Sequence, residues 1–272
     1  MEHLSGRYGF LGFGNMGGAI LSGLLARGTL RADQALVYDP APERMAEADA
    51  LGVARAVSPR ALAEACTTLM LAVKPQVMDE ALAPLLGVAA ADKCIISIMA
   101  GIPIAALETR FGADARIIRV MPNTPALVGA GAAALAYNRA CTPEDVAAAR
   151  AVFETVGMVE LVQEPQMDAV TALSGSGPAY FFYLTECLVA AAVDEGLDAD
   201  AAHRLAAQTL LGAGQLLVTT GRPPDVLREQ VTSMGGVTFA ALESLRQDRF
   251  ADQVARAYRA AVKRSTELGN PS

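Results

Sequence analysis

The sequence has no tryptophan, two histidines and four cysteines among 272 residues, and aromatic residues make up only 5% of it. The cysteines, Cys66, Cys94, Cys141 and Cys187, form no C-x-x-C pair, which argues against a zinc knuckle or a redox dithiol and for free thiols of a reducing compartment. No metal site is expected. His3 sits beside the N-terminus and His203 in an Ala- and Leu-rich helical stretch, so a mechanism that needs an imidazole base has one candidate. Basic excess is also missing: 22 Lys and Arg against 29 Asp and Glu give a net charge of −7, which excludes a general attraction to nucleic acid or anionic membranes. The first residues lack the pattern of a secretory signal. The uncharged stretch 120–138, 19 residues long, contains Pro122, Pro125 and two glycines, which would leave backbone groups unpaired in lipid. The expectation is a soluble, cytoplasmic protein with no membrane or nucleic-acid partner.

What the chain has is apolar residues, 53% against 19% charged, enough for one large or two modest domains with a buried core. Its first half alternates short apolar runs with helical patterns. Tyr8 to Phe13, Ala35 to Tyr38, Thr67 to Val73, Cys94 to Ile98 and Ile117 to Val120 read as buried strands. Met16 to Arg27, Pro42 to Ala50, Arg60 to Ala65, Val77 to Leu86, Ile104 to Phe111 and Thr142 to Glu154 read as crossover helices. This is the signature of a doubly wound α/β domain. Later the texture changes to long helices near Pro178 to Asp194, Ala199 to Thr220, Gly236 to Gln247 and Phe250 to Leu268. The expected class is therefore α/β, with a Rossmann-like dinucleotide-binding domain over 1–164 and an all-α dimerisation and substrate-binding domain over 165–272. The helix at Ala199 to Thr220 carries no charge after Arg204 and is apolar or small on nearly every face. Such a helix must be buried on all sides, which a second subunit would achieve, so an obligate dimer is expected.

Five segments carry chemistry. Gly12-Phe13-Gly14-Asn15-Met16-Gly17 is G-x-G-x-x-G between a strand and a helix. Gly12 permits the tight turn, Gly14 lets the backbone approach a pyrophosphate, and Gly17 allows close helix–strand contact. Asp39 ends the second strand where ribose hydroxyls would lie, which favours NADH, whereas Arg44 could pair with a 2′-phosphate and so favour NADPH. Val73-Lys74-Pro75 falls at the carboxyl end of a strand, where ligands of open α/β sheets bind; Lys74 alone reads equally as a solvated loop charge. Met121-Pro122-Asn123-Thr124-Pro125 closes the last strand of the expected set, and Asn123 can present polar groups to a nicotinamide or simply shape the turn. In the helical half, Ser174 to Tyr180 is a small-residue loop running into a helix. Ser233-Met234-Gly235-Gly236-Val237-Thr238 leads into another, where backbone amides and the Ser233 and Thr238 hydroxyls would make a carboxylate nest.

Taken in order, G-F-G-N-M-G, A-V-K-P, M-P-N-T-P, D-A-V-T-A-L-S-G-S-G-P-A-Y and V-T-S-M-G-G-V-T resemble the pyrroline-5-carboxylate reductase family along nearly the whole chain. The resemblance implies hydride transfer from NADPH or NADH to C5 of Δ1-pyrroline-5-carboxylate, giving L-proline. It places cofactor contacts on Gly12, Phe13, Gly14, Asn15, Met16, Gly17, Asp39, Val73, Lys74, Pro75 and Ala100. It places substrate contacts on Ser233, Gly235, Gly236, Val237 and Thr238, with Thr238 at the ring nitrogen, and less firmly on Glu164 and Gln230. It implies a homodimer, in some members assembled into a decamer. Two departures stand out: Met234 occupies the usual proline before the Gly-Gly pair, and Ser58-Pro59 replaces an asparagine after the third strand. A hydroxyacid dehydrogenase of similar plan would need a lysine on the helix at Pro178 to Asp194, and that segment has none.

Overall fold

The structure, a computed structural model, describes residues 3–88 and 92–269. Packing divides it into two compact units, one holding the chain up to Ser176 together with the residues from Ala261 on, the other Gly177–Ala260.

In the first unit, strands β1 (Tyr8–Leu11), β2 (Ala35–Tyr38), β3 (Ala54–Arg55), β4 (Thr68–Leu71), β5 (Cys94–Ser97), β6 (Arg116–Met121), β7 (Gly131–Tyr137) and β8 (Gly157–Leu161) form one sheet. Their order is β3-β2-β1-β4-β5-β6-β7-β8. The helices are α1 (Asn15–Ala26), α2 (Pro42–Ala50), α3 (Pro59–Ala65), α4 (Met78–Leu82), α5 (Ile104–Phe111), α6 (Pro143–Glu154) and the single turn α7 (Met167–Val170). Strands β1 to β6 are parallel. Phe10, Met70, Ile96 and Ile118 enter one core layer with Ile20 and Leu24 of α1 and Phe153 of α6. Their strand neighbours Leu11, Leu69, Leu71, Ile95 and Ile117 enter the other, with Leu62, Leu82 and Leu107. Because alternate residues of a strand face opposite sides, covering both faces with helices requires the unbroken apolar runs seen in the sequence.

Two expectations change. The stretch 120–138 is more than core and loop: after a 3-10 turn at Thr124–Val128, β7 pairs antiparallel to β6, with Met121 opposite Ala134, and β8 continues parallel to β7. The sequence of β7, GAAALAY, has little intrinsic strand preference, so its conformation is imposed by pairing along both edges. The helix expected over 77–86 is only α4, flanked by 3-10 turns at Pro75–Val77 and Ala83–Leu85; Pro84 has no N–H with which to continue it. Strands β3 and β8 also lie outside the expected set.

The second unit holds α8 (Gly177–Asp194), α9 (Ala199–Thr220), α10 (Pro224–Gln230), α11 (Val237–Gln247) and the first half of α12 (Phe250–Gly269). The division expected from texture, 164/165, and the packing division differ over the segment Pro165–Ser176 and over the residues from Ala261 on. Met167 and Ala172 bury the former in the first unit, and Asp168 accepts hydrogen bonds from Ser265 Oγ (2.7 Å) and Thr266 Oγ1 (2.8 Å) at the returning end of α12. Ala202 is the one buried residue of α9; Leu205, Leu211 and Val218 are exposed, the last to 87%. Phe181, Phe182 and Tyr183 of α8 are exposed as well. Within a single chain these apolar faces go uncovered.

Candidate active site

The strand order reverses direction between β1 and β4, and the crevice outside the carboxyl ends of those strands is where such sheets bind ligands. Each glycine of the first loop has a distinct local reason. Gly12 sits at φ +91°, and a Cβ there would lie 2.7 Å from the Ala72 carbonyl oxygen. A Cβ on Gly17 would lie 2.9 Å from the Gly12 oxygen, so α1 can approach the turn only without a side chain. A Cβ on Gly14, by contrast, would meet nothing within 4 Å. That open space borders a cleft of about 480 Å³. The first helical hydrogen bond of α1 runs from Gly18 N–H to the Gly14 oxygen (2.9 Å), which leaves the amides of Asn15, Met16 and Gly17 directed out of the helix start. A bare backbone cradle beside unpaired amides fits a dinucleotide pyrophosphate.

The cleft is lined by Gly14, Asn15, Met16, Val73, Lys74, Pro75 and Ala100, all expected from sequence, and by Arg44, Ala72, Ile98, Met121 and Pro122. Of the additions, Ala72 and Ile98 were legible as the ends of apolar strands, since residues just past the carboxyl ends of β4 and β5 must face it. Gly12, Gly17 and the buried Phe13 shape the loop without lining the cleft. Asp39 receives the Phe13 amide on Oδ2 (2.7 Å) and the Ala41 amide on Oδ1 (2.9 Å), which locks its carboxylate beside the glycine loop. Arg44 donates to both oxygens of Glu47 (3.1 and 3.0 Å) and to Asn15 Oδ1 (3.2 Å).

Asn123 and Glu164 are held differently from the loop residues. The Asn123 side chain donates to the Ser174 carbonyl (3.0 Å) and accepts from Ala132 N–H (2.8 Å). Its neighbours Met121 and Pro122, not its own amide, reach the cleft. Glu164 Oε1 accepts from Arg119 Nη1 (2.9 Å) and from Ile104 N–H (3.0 Å), while Oε2 is buried with no partner among the described residues.

In the second unit, Ser233 to Gly236 make a tight turn closed by Gly236 N–H to the Ser233 oxygen (3.0 Å), with Gly235 at φ +73°. A positive φ at the third position is what only glycine supplies cheaply. Met234, 94% exposed, fills the second position, where proline is favoured. Gly236 caps α11, whose first hydrogen bond is Ala240 N–H to Gly236 (3.1 Å), so the amides of Val237, Thr238 and Phe239 face outward with the exposed Thr238 hydroxyl. The arrangement matches a carboxylate nest. His203 is exposed on α9, and all four cysteines are free.

Comparison with known proteins bears on both halves of the chain. A model described as pyrroline-5-carboxylate reductase dimerisation matches residues 164–268, and one described as NADP oxidoreductase, coenzyme F420-dependent, matches residues 7–101. Pyrroline-5-carboxylate reductase of Synechocystis is 41% identical over 268 residues, covering 98% of this chain and 99% of that one. The structure of a pyrroline-5-carboxylate reductase from Coxiella burnetii superposes with a TM-score of 0.90 at 33% identity, covering 98% of this chain and all of the other. The Plasmodium falciparum pyrroline carboxylate reductase, solved with NADP bound, gives 0.88 at 30% identity, again over 98% of this chain and all of the other. With its Rossmann-like half, its helical dimerisation half and full-length identity at this level, the chain belongs to the pyrroline-5-carboxylate reductase family.

Proposed function

We infer that the chain is an NAD(P)H-dependent imine reductase that converts Δ1-pyrroline-5-carboxylate to L-proline, and that its first unit holds the cofactor. The observation that carries this reading is the cleft at the strand-order reversal, which gathers the glycine loop, Val73-Lys74-Pro75 and Ala100 around a cradle free of side chains. Gly14 and the α1 amides receive the pyrophosphate, Asp39 the adenosine ribose, and Pro75, Ala100 and Pro122 wall the reacting end. Asn123 serves by fixing the loop that carries Met121 and Pro122.

The cofactor supplies hydride from C4 of its reduced nicotinamide to C5 of the ring. A C=N carbon accepts hydride far better when its nitrogen is protonated, so the chain's work is orientation and charge placement; the proton accompanies the substrate or comes from water. Ser233 and the amides of Gly235, Gly236 and Val237 hold the substrate carboxylate, and Thr238 orients the ring nitrogen. Glu164 is a further proposed substrate contact, its carboxylate oriented by Arg119 and by Ile104 N–H, which both reach Oε1. Positioning of this kind supplies most of a rate enhancement without a nucleophile.

The functional division is a dinucleotide-binding domain over 1–164 and a dimerisation and substrate-binding domain over 165–272. The uncovered faces of α8 and α9 meet a second copy, and larger rings of dimers, a decamer among them, are built from the same unit. The enzyme works in the cytoplasm. The test is loss of nicotinamide absorbance when purified protein meets the substrate with each cofactor. Thr238→Ala is expected to lower kcat at least about tenfold while dinucleotide binding persists; an unchanged kcat removes Thr238 from the mechanism, and no oxidation with either cofactor removes the activity.

A further inference from the structure

We propose that Asp39 makes this enzyme selective for NADH over NADPH, an inference that rests on the cleft being the cofactor site. The carboxylate stands at the carboxyl end of β2, and that end also anchors the glycine turn, through Gly12 N–H to the Tyr38 oxygen at 2.8 Å. It is immobile: Phe13 N–H and Ala41 N–H hold one oxygen each, and Asp39's own N–H rests on Met45 Sδ at 3.2 Å. Each carboxylate oxygen has a further lone pair, so the two ribose hydroxyls of NADH, both donors, can still be accepted. A 2′-phosphate has no proton to offer at neutral pH and brings about two negative charges against a carboxylate that cannot turn away.

Arg44 is the cation that would reverse this preference, and Glu47 and Asn15 already draw three hydrogen bonds from it, leaving Nε–H and one Nη2 proton. Glu47, one helical turn on, takes Nη1 with both oxygens, and Asn15 takes Nη2. A 2′-phosphate bound there would share the guanidinium with Glu47, whose negative charge already offsets it. In its present position it braces the start of the glycine loop through Asn15, which serves both dinucleotides alike.

The experiment is equilibrium titration of the intact protein with NADH and with NADPH, followed by nicotinamide fluorescence without substrate. NADPH is expected to bind at least about tenfold more weakly, a difference of about 1.4 kcal/mol. Asp39→Ser should narrow the ratio by a similar factor, chiefly by tightening NADPH, whereas Arg44→Ala should shift both affinities together. Competition by 5′-ADP and 2′,5′-ADP on the unmodified protein gives the same ratio should the Asp39 variant fail to fold. Equal affinities, tighter NADPH binding, or an Arg44→Ala loss confined to NADPH would each overturn the proposal. If neither dinucleotide binds, the cleft itself has been misassigned and the selectivity falls with it; binding of both without discrimination leaves the cleft standing and removes only the role of Asp39.

Discussion

Asn123 and Ser174 are joined across 51 residues of sequence by one hydrogen bond, side-chain amide to main-chain carbonyl at 3.0 Å. The bond ties the end of β6 to the π-turn Thr171–Gly175, and Met121 packs against Gly175 beside it. Asn123→Asp keeps the acceptor for Ala132 N–H but sets an oxygen against the Ser174 carbonyl. We expect it to cost about 1–3 kcal/mol of stability, and kcat to fall more than dinucleotide affinity. Thermal unfolding and steady-state kinetics check this; equal losses in both kinetic constants with no change in melting would refute it.

The glycines of the first loop separate folding from binding. Gly17→Ala forces a methyl toward the Gly12 oxygen, so a lower melting temperature is expected even without ligand. Gly14→Ala has room for its methyl and an ordinary φ of −72°, so it should melt with the parent while losing dinucleotide affinity at least about tenfold. Differential scanning calorimetry beside a fluorescence titration distinguishes the two; a Gly14→Ala protein that binds normally would dissociate this loop from the cofactor.

Met234→Pro should stabilise. The turn already holds Gly235 at positive φ, and a proline at the preceding position restricts the unfolded chain, a gain of about 0.4–1 kcal/mol. The readout is the unfolding midpoint together with KM for the imine. A fall in stability would mean that Met234 does not occupy a proline-compatible conformation.

Alkali should unfold the protein through acids that burial keeps neutral. Burial pushes the Tyr8 phenol up to about 12 and the Cys141 thiol up to about 11, and raises Cys94 and Cys66 above the usual thiol range. The folded state then holds protons that the unfolded chain releases, so stability is full below about pH 9 and declines as pH rises toward 11 and beyond. Tyr8→Phe should flatten the part of this decline between pH 10 and 12, measured by chemical denaturation across that range. An unchanged slope would exclude the phenol as a contributor.

Much of this was legible in the sequence because the relevant physics is local. The glycine loop, Asp39 and Val73-Lys74-Pro75 each announce themselves by a strand ending where a turn must begin, and the structure gathers the glycine loop and Val73-Lys74-Pro75 around one cleft. β7 was illegible for the opposite reason, since an alanine-rich strand is made by its neighbours. The internal commitment of Asn123 was equally hidden: its partner Ser174 lies beyond two further strands, and the loop alone reads the same whether the amide points inward or outward. The same holds for Glu164, whose partners Arg119 and Ile104 belong to separate elements.

Asp168 and its two hydroxyl partners also set an order of events during synthesis. The sheet unit is continuous to Ser176 but takes its last brace from Ser265 and Thr266, with Gly177–Ala260 translated in between. At ribosomal speeds of about 5–20 residues per second, a nearly complete Rossmann-like unit therefore waits several seconds for the segment that finishes it. Throughout that interval the carboxylate of Asp168 has only water or chaperones for company.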